Sequence, residues 1–402
     1  MTLSKIKENN KFFIKTYGCQ MNVHDSGLIE NGLVKSGFKK AYSVEDADIV
    51  VFNTCSVRDN ADHKVISELG RLKKNYADKK IVLAGCFAKQ IKLKKEQNGS
   101  IYFDYCFAPE EIFSIPDILK NNTAANDTGG SNETNQNYSL TEQPEEYLEN
   151  AGKIEEYFYG KKPENDGTAS VKITEGCNNF CSYCIVPYVR GRERSIPIGI
   201  IYKTIKNLIN KGAAEITLLG QNVNSYMSPD DCKKDFCFLL NAASGIEGSF
   251  KIKFLTSHPK DFNDKLIDTV CGNDKITKEI HLPVQSGSDK ILAMMNRGYT
   301  NADYLKLVRK LKNGHPDISI STDIIVGFPG ETEEDFEDTL KLIEEAEFSS
   351  IFAFKYSPRP FTKASKFNDD ILLEVKKERL EKVFQKYKEI SLRHCGRWIA
   401  QP

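Results

Sequence analysis

Glu175 to Ser195 reads EGCNNFCSYCIVPYVRGRERS, which sets Cys177, Cys181 and Cys184 in the spacing C-x3-C-x2-C. A tetrahedral metal site or a cubane cluster takes four ligands, so three thiols leave one position open. Zinc modules bring two C-x2-C pairs, or one pair with two histidines, and no second pair follows here. A lone triplet at this spacing is better explained by a 4Fe-4S cluster on three thiolates, whose fourth iron has no protein ligand. That iron is free to chelate the amino and carboxylate groups of a small molecule. A zinc site and a chance grouping of small buried thiols are the competing readings.

Working outward, the triplet follows directly on SVKITEG, the first of six strand candidates; the others are AEITLLG, KIKFLT, EIHLPV, ISISTDIIVGF and SIFAFKY. Helical patterns such as IGIIYKTIKNLINKG and ETEEDFEDTLKLIEEAEF separate most of them. Six βα-like units predict a parallel barrel or part of one, with the chemistry at the carboxyl ends of its strands.

Upstream, residues 11 to about 118 hold three more strand-like runs, KFFIKTYGC, ADIVVFNTC and KKIVLAGC, alternating with helical patterns. They predict a doubly wound α/β domain on a buried parallel sheet. Cys19, Cys55 and Cys86 each stand at the carboxyl end of one of these runs. Parallel strands of one sheet bring such residues to the same edge, where α/β proteins bind ligands. Helix amino-termini and the nearby Arg58 favour thiolates there. A second three-thiol iron–sulfur site follows, with three buried core cysteines as the bland alternative. Cys106, Cys232, Cys237, Cys271 and Cys395 are read as non-ligands.

The composition is that of an ordinary globular chain: 402 residues, 40% hydrophobic, 28% charged, formal net charge zero. A neutral balance gives no sign of nucleic acid, so any RNA surface must come from local clustering. Eleven cysteines, without a signal peptide or a run of membrane-spanning length, point to a reducing cytoplasmic setting and no membrane. The expected organisation is an α/β domain over 1–120, a flexible polar linker over 121–166, a barrel-like domain over 167–390 and a divergent tail over 391–402.

Two three-thiol motifs in this order resemble the radical S-adenosylmethionine methylthiotransferases, and within them the tRNA-2-methylthio-N(6)-dimethylallyladenosine synthases. The resemblance runs from residue 11 to about 390, apart from the linker. It rests on YGCQMNVHDS, FNTCSVRDNA, AGCFAKQ, EGCNNFCSYCIVPYVRGRERS, LLGQNVNSY, LPVQSGSDKIL, MNRGYT, TDIIVGFPGET and YSPRP. The branch acting on threonylcarbamoyl-adenosine reads GCKVN where this chain has GCQMN, and the branch acting on a ribosomal-protein aspartate differs around the first cysteine.

The resemblance implies a radical SAM partial (β/α)6 barrel and two 4Fe-4S clusters. Cys177, Cys181 and Cys184 would hold the radical-generating cluster. Cys19, Cys55 and Cys86 would hold an auxiliary cluster whose open iron carries the sulfur. Two S-adenosylmethionine molecules would be used per turnover, one as methyl donor and one as radical source, to methylthiolate carbon 2 of the adenine at tRNA position 37. S-adenosylmethionine contacts are expected at Tyr183, Gln221, Asn222, Ser257, Gln285 and Asp323. His258 is read as structural.

Arg190, Arg192 and Arg194 form a local basic patch whose functional reading is RNA contact; an ion pair with Glu175 or Glu193 is the alternative. Expected partners are tRNA, a flavodoxin-like or ferredoxin-like electron donor and a sulfur source, with a monomer favoured. Two departures stand out. Phe361 replaces the glycine that the family usually has before Thr362. The sequence expected of the family's carboxy-terminal TRAM β-barrel is also not found, which predicts weaker, more salt-sensitive tRNA binding. The rivals are a methylthiotransferase with another substrate and a non-catalytic, metal-stapled RNA-binding protein.

Overall fold

The protein is described from a computed structural model, which covers residues 10–56, 59–94, 102–125, 163 and 166–399. The chain divides into two compact units, Met1–Lys162 and Pro163–Pro402.

In the first unit the strands β1 (Lys11–Thr16), β2 (Lys39–Lys40), β3 (Ile49–Thr54), β4 (Lys80–Gly85) and β5 (Tyr105–Phe107) form one sheet. Its order is β2-β1-β3-β4-β5, and every neighbouring pair is parallel. All six residues of β3 are buried, as expected of a central parallel strand covered on both faces. Among the described residues four helices accompany the sheet: α1 (Gln20–Lys35), α2 (Asp59–Asn75), α3 (Cys86–Lys94) and α4 (Ile115–Ala125). Val50 and Phe52 of β3 share a core with Val65, Leu69 and Leu72 of α2. Ile49 and Val51 alternate to the opposite face and are equally buried. The strand order reverses between β1 and β3, the switch point at which such sheets open a crevice.

The second unit holds two three-stranded parallel sheets. One is β6 (Thr168–Lys172), β9 (Glu215–Leu219) and β10 (Lys251–Phe254); the other is β11 (Glu279–His281), β12 (Ser319–Val326) and β13 (Ser350–Lys355). A parallel bridge between Ile252 and Ile276 connects β10 to the approach of β11. The six strands therefore follow one another in chain order as a partial barrel. β7 (Thr174–Glu175) and β8 (Arg194–Ser195) leave that sheet and pair antiparallel. The run read as one strand, SVKITEG, is thus two short ones.

Helices of this unit are α5 (Val186–Val189), α6 (Ile198–Asn210), α7 (Phe236–Ser244), α8 (Asp264–Cys271), α9 (Asp289–Met294), α10 (Asn301–Gly314), α11 (Glu333–Ala346) and α12 (Leu373–Ile399). Along β12 the burial alternates strictly: Ile320, Thr322, Ile324 and Val326 are buried, while Ser321, Asp323 and Ile325 on the other face are not. That face is the polar lining of the barrel.

The helix α4 runs on to Ala125, inside the stretch read as linker, and residues 126–162 lie outside the described residues. Arg58 and the side chain of Cys395 lie outside them as well. Helix α12 continues past Ile390 to Ile399, so the stretch read as a divergent tail prolongs a helix. Among the described residues no helix is long and apolar enough to cross a membrane.

Candidate iron–sulfur and cofactor sites

The loop that carries Cys177, Cys181 and Cys184 is fixed by its backbone. Gly176 has φ +80, and a Cβ there would lie 2.2 Å from the Arg192 carbonyl oxygen, so only glycine lets the two arms of the loop approach. The Cys177 N–H donates to Gly191 O at 3.2 Å. Gln221, at the end of β9, accepts from the Gly176 N–H through Oε1 at 2.5 Å. Asn296 Nδ2 donates to the carbonyls of Asn179 and Phe180, both at 3.1 Å. Ser182 donates its N–H to Met295 O at 2.9 Å and its hydroxyl to Met294 O at 2.8 Å.

Burial pushes the Cys177 thiol up to about 11 and the Cys184 thiol up to about 12, and the neighbouring Cys181 adds to both. The protein alone therefore keeps these two thiols neutral. Three soft sulfur donors in a dry loop become thiolates only around a strongly positive centre. Arg297 contributes one cation: it is buried, and its Nη1 stands 3.4 Å from Cys181 Sγ. Among the described residues, no three His, Cys, Asp or Glu side chains are grouped tightly enough to bind one metal ion. A three-thiolate 4Fe-4S cluster places each thiolate on a separate iron. The triplet fits an iron–sulfur cluster.

Around it the strand ends present polar atoms that are buried without partners. They are Thr174 Oγ1 on β7, Asn222 Oδ1 after β9, and Ser257 Oγ and His258 Nε2 after β10. A folded protein satisfies nearly all such atoms, so a group of four at one barrel edge marks a place for a polar ligand. His258 stays neutral, its pKa lowered to about 2 by burial and by Arg297 and Lys260, and its Nδ1 accepts from the Lys260 N–H at 3.3 Å. Backbone strain gathers at the same edge. Phe180, Thr256, Gln285, Asn296 and Phe361 all have positive φ without being glycine.

The six residues expected to contact S-adenosylmethionine are placed unevenly. Gln221 and Asn222 share one strand end, and Asn222 Nδ2 donates to Asp261 Oδ2 at 2.7 Å. Ser257 follows β10. Gln285 is buried at φ +79, with its N–H on Asp323 O. Tyr183 packs on Ile291, Met295 and Phe328, and its hydroxyl accepts from Arg297 at 3.5 Å. Asp323 lies lower on the barrel lining, where its Oδ2 is 3.4 Å from His281 Nε2.

In the basic patch Arg190 makes the ion pair with Glu175 that was the alternative to RNA contact. Arg190 is only 4% exposed and its Nη1 donates to Glu175 Oε1 at 3.0 Å, while Lys172 takes the other oxygen. A buried guanidinium held this way is not offered to RNA, which leaves Arg192 and Arg194. Arg192 is exposed and lies over the Phe180 ring at 5.2 Å. Sequence reasoning missed Arg297 and Asn296; the one signal was a cation and an amide inside the apolar run ILAMMNRGY.

In the first unit Cys19 is the N-cap of α1, directly beyond β1. Cys55 follows β3 and Cys86 opens α3 directly beyond β4. The register pairs Thr16 with Asn53 and Thr54 with Gly85, which aligns the three strand ends. A Cβ on Gly18 would sit 2.4 Å from Cys55 Cβ and 3.2 Å from its sulfur, so the chain before Cys19 passes directly over Cys55. Gly85 repeats the device, with φ +91 and no room beside Asn53 and Thr54.

Beneath the thiols, Asn53 Nδ2 donates to Asn22 O at 2.8 Å and to Ser26 Oγ at 2.9 Å. Asn22 Nδ2 returns to Asn53 Oδ1 at 3.1 Å and Thr54 O at 3.0 Å. These amides were not singled out from the sequence. Cys106, on β5, pairs with Leu83 of β4, below the aligned strand ends, and burial raises its thiol to about 11.

These two sites define a class. The radical SAM superfamily matches residues 171–343, and an uncharacterized protein family, UPF0004, matches residues 11–104. The tRNA-2-methylthio-N(6)-dimethylallyladenosine synthase of Alkaliphilus oremlandii (strain OhILAs) is 42% identical over 388 residues, 96% of this chain and 79% of the relative. That of Caldicellulosiruptor saccharolyticus is 43% identical over 393 residues, with the same two coverages. The chain belongs to the tRNA-2-methylthio-N(6)-dimethylallyladenosine synthase family. In fold it is also similar to the cobalamin-dependent S-adenosylmethionine radical enzyme OxsB, at TM-score 0.57 and 13% identity over 93% of this chain and 56% of that one.

Proposed function

We propose that this chain methylthiolates carbon 2 of N(6)-dimethylallyladenosine at position 37 of tRNA, using two S-adenosylmethionine molecules per turnover. The observation that carries this reading is the pair of separate three-thiol sites, each at the carboxyl edge of a parallel sheet. Cys177, Cys181 and Cys184 would hold one 4Fe-4S cluster and Cys19, Cys55 and Cys86 another. When bound, the first supplies the electron that cleaves S-adenosylmethionine and the second carries the sulfur to be transferred.

The chain's own residues have defined tasks. Gln221, through Gly176, fixes the direction in which the triplet leaves β7. Arg297 holds Tyr183 and Cys181 in one orientation and keeps a positive charge beside the thiols. The unpartnered atoms of Thr174, Asn222 and Ser257 offer polar contacts to a bound S-adenosylmethionine. The apolar shell of Ile291, Met295, Phe328 and Tyr356 behind Tyr183 keeps water from that side. Electrons come from a flavodoxin-like or ferredoxin-like protein, and the sulfur consumed in each turnover must be replaced by an external donor.

Anaerobic reconstitution tests this reading. It expects about eight irons and eight sulfides per chain, S-adenosylmethionine cleavage on reduction, and a methylthio nucleoside in tRNA by mass spectrometry. Stoichiometric zinc with no cleavage would instead support a metal-stapled RNA-binding protein.

A further inference from the structure

Pro360 and Phe361 occupy the two central positions of a tight turn closed by the Thr362 N–H on Arg359 O at 3.4 Å. Proline first and a positive φ second is the type II pattern, and the second position calls for glycine. Here it holds Phe361, at φ +70. A bulky residue in the left-handed region is strained, and strain of this kind persists where the side chain has a use. The phenyl ring makes no core: it is 37% exposed. It stands 6.5 Å from the ring of Tyr188, itself 36% exposed, with the planes 35° apart. The turn is tied to the three-thiol loop, because Ala364 N–H donates to Ser182 O at 2.7 Å.

The segment that carries the turn is cationic. From Ser357 to Phe367 the chain carries Arg359, Lys363 and Lys366 and no acidic residue. Beyond Tyr188 the loop presents Arg192, exposed and stacked over the Phe180 ring. Exposed aromatic faces among cations are the chemistry of single-stranded RNA stacking.

We infer that Phe361 and Tyr188 form a stacking platform for an unpaired base of the RNA loop, flanking the nucleotide that enters the barrel. The inference rests on the proposed action on tRNA. It assigns to this chain an RNA contact at a position where turn chemistry alone would select glycine.

The test uses the reconstituted holoenzyme and a synthetic anticodon stem-loop bearing dimethylallyladenosine. Phe361→Gly relieves the turn, so its Tm rises by about 2 °C or more, while its Kd for the stem-loop rises about tenfold. Phe361→Tyr binds as the natural chain does. Phe361→Leu, which keeps the strain and an apolar side chain but has no π-face, binds as weakly as Phe361→Gly. Replacing the stacked base by an abasic site weakens the natural enzyme and leaves Phe361→Gly unaffected. Unchanged Kd in Phe361→Gly, or full affinity in Phe361→Leu, overturns the stacking assignment while the proposed function stands. If the natural holoenzyme neither binds nor methylthiolates the stem-loop, both readings fall.

Discussion

The two three-thiol sites reach the same composition by opposite routes. Cys177, Cys181 and Cys184 lie within eight residues of one loop, which Gln221, Met295 and Asn296 hold in place. Cys19, Cys55 and Cys86 are spread over three strands and meet only because β1, β3 and β4 pair in register. A slip of one residue would turn a strand's side chains to the other face and scatter that site. Both routes need a glycine with positive φ directly before a cysteine: Gly176 in the loop, and Gly18 and Gly85 at strand ends. The difference is that the strand-end site depends on sheet register, whereas the loop site depends on side-chain contacts to a few distant residues.

The harshest way to probe this is at the glycines. Gly18→Ala forces a Cβ against Cys55, and Gly176→Ala forces one into the Arg192 carbonyl. Each adds strain of about 3 kcal/mol or more locally. Gly18→Ala is expected to lose the strand-end cluster while S-adenosylmethionine cleavage survives; Gly176→Ala is expected to lose cleavage. Iron content and 5′-deoxyadenosine release read the two outcomes. Loss of cleavage in Gly18→Ala would mean the sites are not independent.

A milder probe is Arg297→Met, which removes the cation beside Cys181 and the support of Tyr183. Supporting partners of metal ligands are worth about 10–100-fold, so cleavage should fall by that factor with the strand-end cluster intact. A drop of less than twofold would remove Arg297 from the account.

Asn53→Ala tests the register directly. It empties the buried amide network under the strand-end thiols and should cost about 1–3 kcal/mol. The loss should appear in denaturant unfolding of the first unit alone, followed by hydrogen exchange on its peptides. Equal loss of protection in both units would break the comparison.

The smallest effect is a pH dependence confined to the second unit. Burial raises Glu331 from its ordinary 4.5 to about 7, with Arg379 at 2.8 Å and the Gly327 N–H opposing it. The folded state therefore binds more protons than the unfolded one between those values. The stability from Glu331 is complete below about pH 4.5 and is lost as pH rises through 7. The protection of barrel peptides against hydrogen exchange, corrected for the intrinsic rate at each pH, should fall over that window, and Glu331→Gln should flatten it. A slope of opposite sign would show that Arg379 dominates.

The sequence exposed most of the fold, and for identifiable reasons. Buried strands such as Ile49–Thr54 open on apolar runs, here Ile49 to Phe52, and cysteines just beyond three such strands mark a shared sheet edge by their positions alone. What stayed hidden depends on pairing across long separations. For Arg190 the sequence left RNA contact and an ion pair with Glu175 both open, and only the pairing of β7 with β8 brings Glu175 to it. Arg297 lies 116 residues from Cys181, and no local pattern links them. The departure at Phe361 was visible as a residue type; its exposed ring and positive φ were not.

Whether the two sites do two separable jobs is tested by two triple variants, one with Cys19, Cys55 and Cys86 replaced by alanine, the other with Cys177, Cys181 and Cys184 replaced. Both are reconstituted anaerobically and assayed for iron, 5′-deoxyadenosine and methylthio nucleoside. Each should hold about four irons. The first should still release 5′-deoxyadenosine without forming methylthio product, and the second should do neither. Methylthio product from the first variant, or cleavage by the second, would contradict that separation.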